Sequence, residues 1–165
     1  MQKLKNLIAA AAVALSLAQG AAVHQASAAE SDTARVVDLV NAQRATYGLA
    51  PLRVNPQLAD AAESYSGYMA SANFFSHTGA DGSRMTQRDE AAGYTAWVFL
   101  GENLAAGQPT PEQVVTAWMA SPTHRANVLA EEAAEIGIGH AFDPGSTFGD
   151  YWTMEIGTQA PQPGR

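Results

Sequence analysis

Four residues carry the chemistry that this sequence offers. Glu102 leaves an apolar run, Trp97-Val98-Phe99-Leu100, inside Gly101-Glu102-Asn103. A carboxylate delivered into such surroundings does not stay buried and unpaired, so it must be solvated, hydrogen-bonded or facing a cation. His77 follows two phenylalanines in Phe74-Phe75-Ser76-His77-Thr78-Gly79, and His124 follows a break in Ser121-Pro122-Thr123-His124-Arg125-Ala126-Asn127. Imidazole is the side chain that exchanges protons near neutral pH and the commonest metal ligand, but it also serves as a packed, hydrogen-bonded core group. Ser121 stands three residues before His124 and invites a Ser-His pairing. Its place just ahead of Pro122 is more simply that of a helix cap.

Composition narrows what these residues can be for. The chain has 165 residues, no cysteine and a formal net charge of -7. Lys3 and Lys5 are its only lysines, and no basic stripe exists. Nucleic acid and anionic membrane are therefore excluded as main partners. Residues 1–28 have the pattern of a secretory signal peptide: two lysines, the apolar run Leu7 to Ala18, and a small-x-small site at Ala26-Ser27-Ala28. A cut after Ala28, or after Ala29, is expected, giving a secreted protein, periplasmic or extracellular. No later run is long enough to span a bilayer. Residues 29–158 suit one domain, and 159–165 form a Pro-rich tail expected to fray. Nothing matches a Walker or dinucleotide glycine loop, a Gly-x-Ser-x-Gly elbow or His-Glu-x-x-His.

The elements that must position the four residues follow from local signals. A first helix begins near Ser31 or Asp32, with Val36, Val40 and Tyr47 on one face and Gly48 after its end. Asn55-Pro56 starts a second helix by cap and proline. Its apolar stripe is Leu58, Ala62, Tyr65 and Met69, and it ends near Asn73. Tyr65 and Tyr68 read as core or rim aromatics. Ser83 can cap a short helix through Ala92. Thr110-Pro111 starts another, with Val114, Val115, Trp118 and Met119 as its apolar face. Two strands close the chain, Ala134 to Phe142 and Phe148 to Gly157, around an Asp143-to-Thr147 turn. In the second, Tyr151, Thr153 and Glu155 alternate with Trp152, Met154 and Ile156. Asp143 and Asp150 read as turn and edge residues, because their spacing matches no EF-hand loop. His140 reads as a surface residue.

Taken together, Phe75-Ser76-His77, Gly101-Glu102-Asn103, Trp118 with Ser121 to Asn127, and Ile136-Gly137-Ile138-Gly139 resemble the CAP superfamily of cysteine-rich secretory, antigen 5 and pathogenesis-related-1 proteins. The resemblance is to its short, disulfide-free bacterial branch and covers the chain from Val36 to Glu155. It implies an α+β fold, a three-layer α-β-α sandwich around a central, mostly antiparallel sheet with one open cleft. It also implies a cleft with two histidines and two glutamates, often around a divalent metal. His77, Glu102 and His124 match three of these positions, and Ser121 stands where the second glutamate would fall. The metal set expected on this basis is His77, Glu102 and His124, with Zn2+ or another divalent cation. Two imidazoles and a carboxylate suffice for a zinc site with water as fourth ligand.

Three functions fit. One is a secreted binding module whose cleft takes a metal, a small apolar ligand or a lipid. Another is a metal-dependent hydrolase with Glu102 as base. The third is a domain that acts on an extracellular protein through its surface, the polar cluster being structural. A monomer is expected.

Overall fold

The structure is a computed structural model that describes residues 32–161. The expected signal peptide and the last residues of the expected tail lie outside the described residues.

The first helix, α1, spans residues 32–46. Its buried line is Val36, Val40 and Arg44, not the expected Val36, Val40 and Tyr47: Arg44 is 1% exposed and Tyr47 is 50% exposed. The expected line ran i, i+4, i+11; the observed one runs i, i+4, i+8, with a cation in the third place. Arg44 can be buried because its guanidinium donates to the carbonyls of Ala50, Val128 and Ala130 at 2.9, 3.0 and 2.8 Å. Gly48, at φ 72°, turns the chain out of the helix.

Strand β1 is Arg53–Val54. Helix α2 runs Pro56–Ser71, and the Asn55 side chain accepts from the N–H groups of Gln57 and Leu58, as the cap-plus-proline signal requires. Leu58, Ala62, Tyr65 and Met69 are its buried stripe. Asn73 has φ 49° just past its end and is tied down by the Thr147 N–H at 2.7 Å. Helix α3, Met85–Ala91, begins one residue later than expected, with Arg84 rather than Ser83 at the cap position.

Strand β2 is Trp97–Ala106, α4 is Pro111–Ala120, α5 is Pro122–Val128, β3 is Glu135–Asp143 and β4 is Gly149–Gln159. The sheet order is β1-β3-β4-β2; only the β1–β3 pair is parallel. Gln159 and Ala160, expected in the tail, are held: Gln159 pairs with Trp97 and the Ala160 N–H donates to the Ala96 carbonyl at 2.8 Å.

Register assigns the faces. Ile136, Ile138, Trp152, Met154 and Ile156 share one face and form a core with Val36 and Val40 of α1, Val114, Val115 and Trp118 of α4 and Val128 of α5. On the other face lie Gly137, Gly139, Thr153, Glu155, Glu102 and Leu104, under α2 and α3. The two glycines let α2 press on β3. A Cβ at Gly137 would sit 2.1 Å from the Leu58 carbonyl carbon, and one at Gly139 2.2 Å from that of Ala62. The result is the expected three-layer sandwich around a mostly antiparallel sheet.

Candidate functional site

β2 is an edge strand, and the site is built along its free edge. An unpaired strand edge needs its carbonyls satisfied. Here side chains from α4 and α5 do it. The Trp118 indole N–H donates to the Leu104 carbonyl at 3.1 Å, and Asn127 Nδ2 donates to the Glu102 carbonyl at 2.9 Å. Asn103 Nδ2 in turn donates to the His124 carbonyl at 2.9 Å. These bonds fix α5, and with it His124, beside the strand. From the opposite face, the segment after α2 carries His77 over the same edge.

His77, Glu102 and His124 do converge. His77 Nδ1 lies 2.6 Å from Glu102 Oε1, and the two imidazole rings are 6.5 Å apart at 38°. The Glu102 side chain is 4% exposed, whereas that of His77 is 59% exposed. Glu102 is therefore the buried anchor and His77 the group offered to solvent. With Nδ1 turned to Glu102, the His77 Nε2 is left for the cleft.

The cation that Glu102 needs is Arg88 of α3, whose Nη2 bonds Glu102 Oε2. Its guanidinium lies 3.5 Å over the Tyr65 ring and reaches the Ser83 carbonyl at 3.1 Å. Tyr65 donates its hydroxyl to the Ser76 carbonyl at 2.5 Å, one residue before His77. Burial pushes the Tyr65 phenol up to about 12, so it stays a donor.

The two histidines are set apart in protonation. The Glu102 hydrogen bond holds His77 above its ordinary value, against the opposing effect of burial. Burial, and then the charge of His77, hold His124 below its own. The two shifts run in opposite directions, so His77 holds its proton to higher pH than His124 does.

A cavity of about 400 Å³ opens between them. Its apolar walls are Phe75, Leu104, Ala105, Ala106, Ala117 and Trp118; His77, His124, Ser121 and Gln108 supply the polar end. Phe75 and Phe148 are both partly exposed with rings 5.9 Å apart, extending the apolar side at the rim. A larger cavity of about 470 Å³ lies between α2 and α3. It has no imidazole and touches the site only through Arg88 and Tyr65, so the smaller cavity is the one with the chemistry.

Among the described residues no three His, Cys, Asp or Glu side chains are placed to hold a metal ion. In this arrangement His77 and Arg88 engage the two Glu102 oxygens. One expectation needs correction. Ser121 borders the cleft and holds the cap position of α5, but its hydroxyl makes no capping bond and lies 3.3 Å from that of Thr123. His140 is outside the cleft. It stacks on Trp152 at 3.7 Å and bonds Asp150 at 2.9 Å.

Arg88 went unassigned in the sequence, which left Glu102 to be solvated, hydrogen-bonded or facing a cation. Glu155 and Asp89 were missed altogether. Both are fully buried within reach of the same cluster.

The fold agrees with what the chain is similar to. The model of the cysteine-rich secretory protein family (CAP) matches residues 37–156, and the chain belongs to that family. It is 35% identical over 122 residues to the Bacillus subtilis (strain 168) protein YkwD, covering 74% of this chain and 45% of YkwD. It is 30% identical over 105 residues to the membrane protein YlbC of the same organism, covering 64% of this chain and 30% of YlbC. The chain thus spans less than half the length of these curated relatives. Among solved structures, an extracellular SCP-domain protein of Bacillus anthracis str. Ames superposes with a TM-score of 0.72 at 25% identity, over 79% of this chain and 41% of that one. An outer surface protein of Borrelia burgdorferi shares the fold, with a TM-score of 0.71 at 21% identity, over 79% of this chain and 94% of that one. No helix among the described residues is long and apolar enough to cross a membrane.

Proposed function

We propose that this is an exported binding domain whose cleft takes a small amphipathic ligand with an anionic head. Export is supported by the signal pattern of residues 1–28 and by the likeness to an extracellular SCP-domain protein. The observation that carries the ligand reading is the cleft's composition. One side is apolar and aromatic, and the other ends on two imidazoles shifted in opposite directions, His77 up and His124 down. A volume of about 400 Å³ is in the range that small-molecule sites use. An anionic head would accept a charge-assisted hydrogen bond from His77 Nε2–H, with an apolar chain along Phe75 and Trp118.

The test is a thermal melt with octanoate as probe on wild type, His77→Ala and His124→Ala. At about a hundred times its dissociation constant the probe stabilises the fold by about 2.7 kcal/mol, a shift of a few degrees. The reading expects that shift in wild type, its loss in His77→Ala, and weaker binding as pH rises through the raised His77 value. No shift in wild type, or the same shift in all three proteins, removes the cleft as the binding site.

A further inference from the structure

We infer that the cavity between α2 and α3 is a second ligand site, and that it takes a small molecule carrying an ammonium group on a short apolar chain. None of its charged lining opens on the cleft, so this site and the cleft stand or fall separately.

The space follows from the residues on the two helices. α2 turns Asp60, Ala61, Ser64, Tyr65 and Tyr68 to the cavity, a stripe along one side of the helix. Protein interiors are close-packed, and a seam between helices is normally filled by large side chains. Here Ala61 and Ser64 of α2 face Ala91 and Ala92 at the end of α3, and these are too small to close it. About 470 Å³ stays open, within the range that small-molecule sites use.

Charge then selects the occupant. Asp60 and Asp81 both line the cavity, both are exposed, and neither belongs to an ion pair among the described residues. Asp81 is fixed in place, its Oδ1 accepting from the Ser83 N–H at 2.9 Å. The loop is tight there: a Cβ at Gly79 would come within 2.5 Å of the same oxygen. The side-chain and backbone hydrogen bonds from Ser83 hold the Asp81 carboxyl below its ordinary range, so it is ionised at neutral pH.

The one cation of the lining does not answer these carboxylates. Arg88 gives Nη2 to Glu102 and Nη1 to the Ser83 carbonyl, and its guanidinium lies over the Tyr65 ring. Its Nε has no partner but is buried away from solvent, so a ligand entering from solution does not meet it. An anion would therefore meet two carboxylates and a guanidinium already paired. A carboxylate only accepts hydrogen bonds and an ammonium only donates them, which makes an ammonium the complement of Asp60 and Asp81. The Ser64 hydroxyl and the Gln87 side-chain carbonyl are further acceptors on the same lining. Ala61, Ala91, Ala92 and the Tyr68 ring supply the apolar wall for the chain that carries the charge.

The experiment is an amide NMR titration of the protein with cadaverine at physiological ionic strength, where loose attraction to an acidic surface is screened. Saturable shifts are expected in α2 and α3, at Ser64, Gln87 and Ala91. Asp60→Asn and Asp81→Asn should each raise the Kd about tenfold, the scale of one hydrogen bond to a charged group. Ala91→Phe, which puts a ring into the seam, should weaken binding as well. Asp143→Asn, at the hairpin turn outside the cavity, should leave the Kd unchanged, and pentanediol, the same chain without charge, should not bind. The inference is overturned if cadaverine at millimolar concentration shifts no signal of α2 or α3 in wild type, a result that needs no variant to fold. It is equally overturned if pentanediol binds as well as cadaverine, or if Asp143→Asn costs as much as the cavity variants.

Discussion

The two faces of the sheet are built from the same strands but hold together differently. On β4, Trp152, Met154 and Ile156 face α1, α4 and α5 in an apolar core, with Trp152 also stacked on His140 and donating its indole N–H to the Gln108 carbonyl. Their neighbours Tyr151, Thr153 and Glu155 face α2 and α3, and all of them are equally buried. On that side Ser66 bonds Thr153, Arg88 bonds Glu102, and Asp89 and Glu155 keep oxygens with no partner. The first face gains from area removed from water and asks for little geometry. The second gains only where each polar group finds its partner. Its incomplete pairing falls directly under His77, the residue that opens on the cleft. One face thus holds mainly by burial, and the other holds Glu102 between Arg88 and His77.

Substitutions should separate the faces by size and by kind of effect. The largest loss belongs to the apolar face. Trp118→Ala removes a side chain that is 1% exposed, together with the bond that satisfies the Leu104 carbonyl. It should cost about 3–5 kcal/mol, read as a lower denaturation midpoint; an unchanged midpoint would mean that this core does not hold the sandwich. On the polar face, Arg88→Met leaves Glu102 buried without its cation and should cost about 3 kcal/mol. Adding Glu102→Gln should recover part of that loss, since the orphaned charge goes too. If the double variant is worse by the sum of the two, the pair is not the unit described here. Gly139→Ala tests the layer spacing itself. Its methyl group would overlap the Ala62 backbone, so a loss of about 1–3 kcal/mol is expected; a neutral result would show that α2 can slide.

What was legible in the sequence divides along the same line. The helix starts at Asn55-Pro56 and Thr110-Pro111 and the alternation of β4 are local signals, and local signals survive folding. That Glu102 must be solvated, hydrogen-bonded or facing a cation was legible too, because it follows from desolvation alone. That a cation answers it, and which one, was not. Arg88 is fourteen residues away on a short helix, and only the packing of α3 on the sheet brings them together. Arg44 shows the reverse error. Apolarity favoured Tyr47 for the buried line, but Arg44 is paired with carbonyls more than eighty residues on, which no local pattern contains. Glu155 was hidden for a related reason: alternation tells the two faces of a strand apart, but not that helices cover both.

The account's central claim is that Glu102 raises His77 above the ordinary histidine value while burial, and then the charge of His77, hold His124 below it. Imidazole NMR titration of His77 and His124 in the intact protein tests it most directly. His77 should titrate above about 6.5, the ordinary histidine value, because Glu102 holds its proton, and His124 below it, because burial and His77 oppose its charge. The linked sign follows. The His77–Glu102 pairing contributes fully to stability below that ordinary value and is lost as pH rises through the raised folded one. In Glu102→Gln the His77 titration should fall back toward the ordinary value. Two histidines titrating together at the ordinary value in wild type, or in the reverse order, would contradict the account.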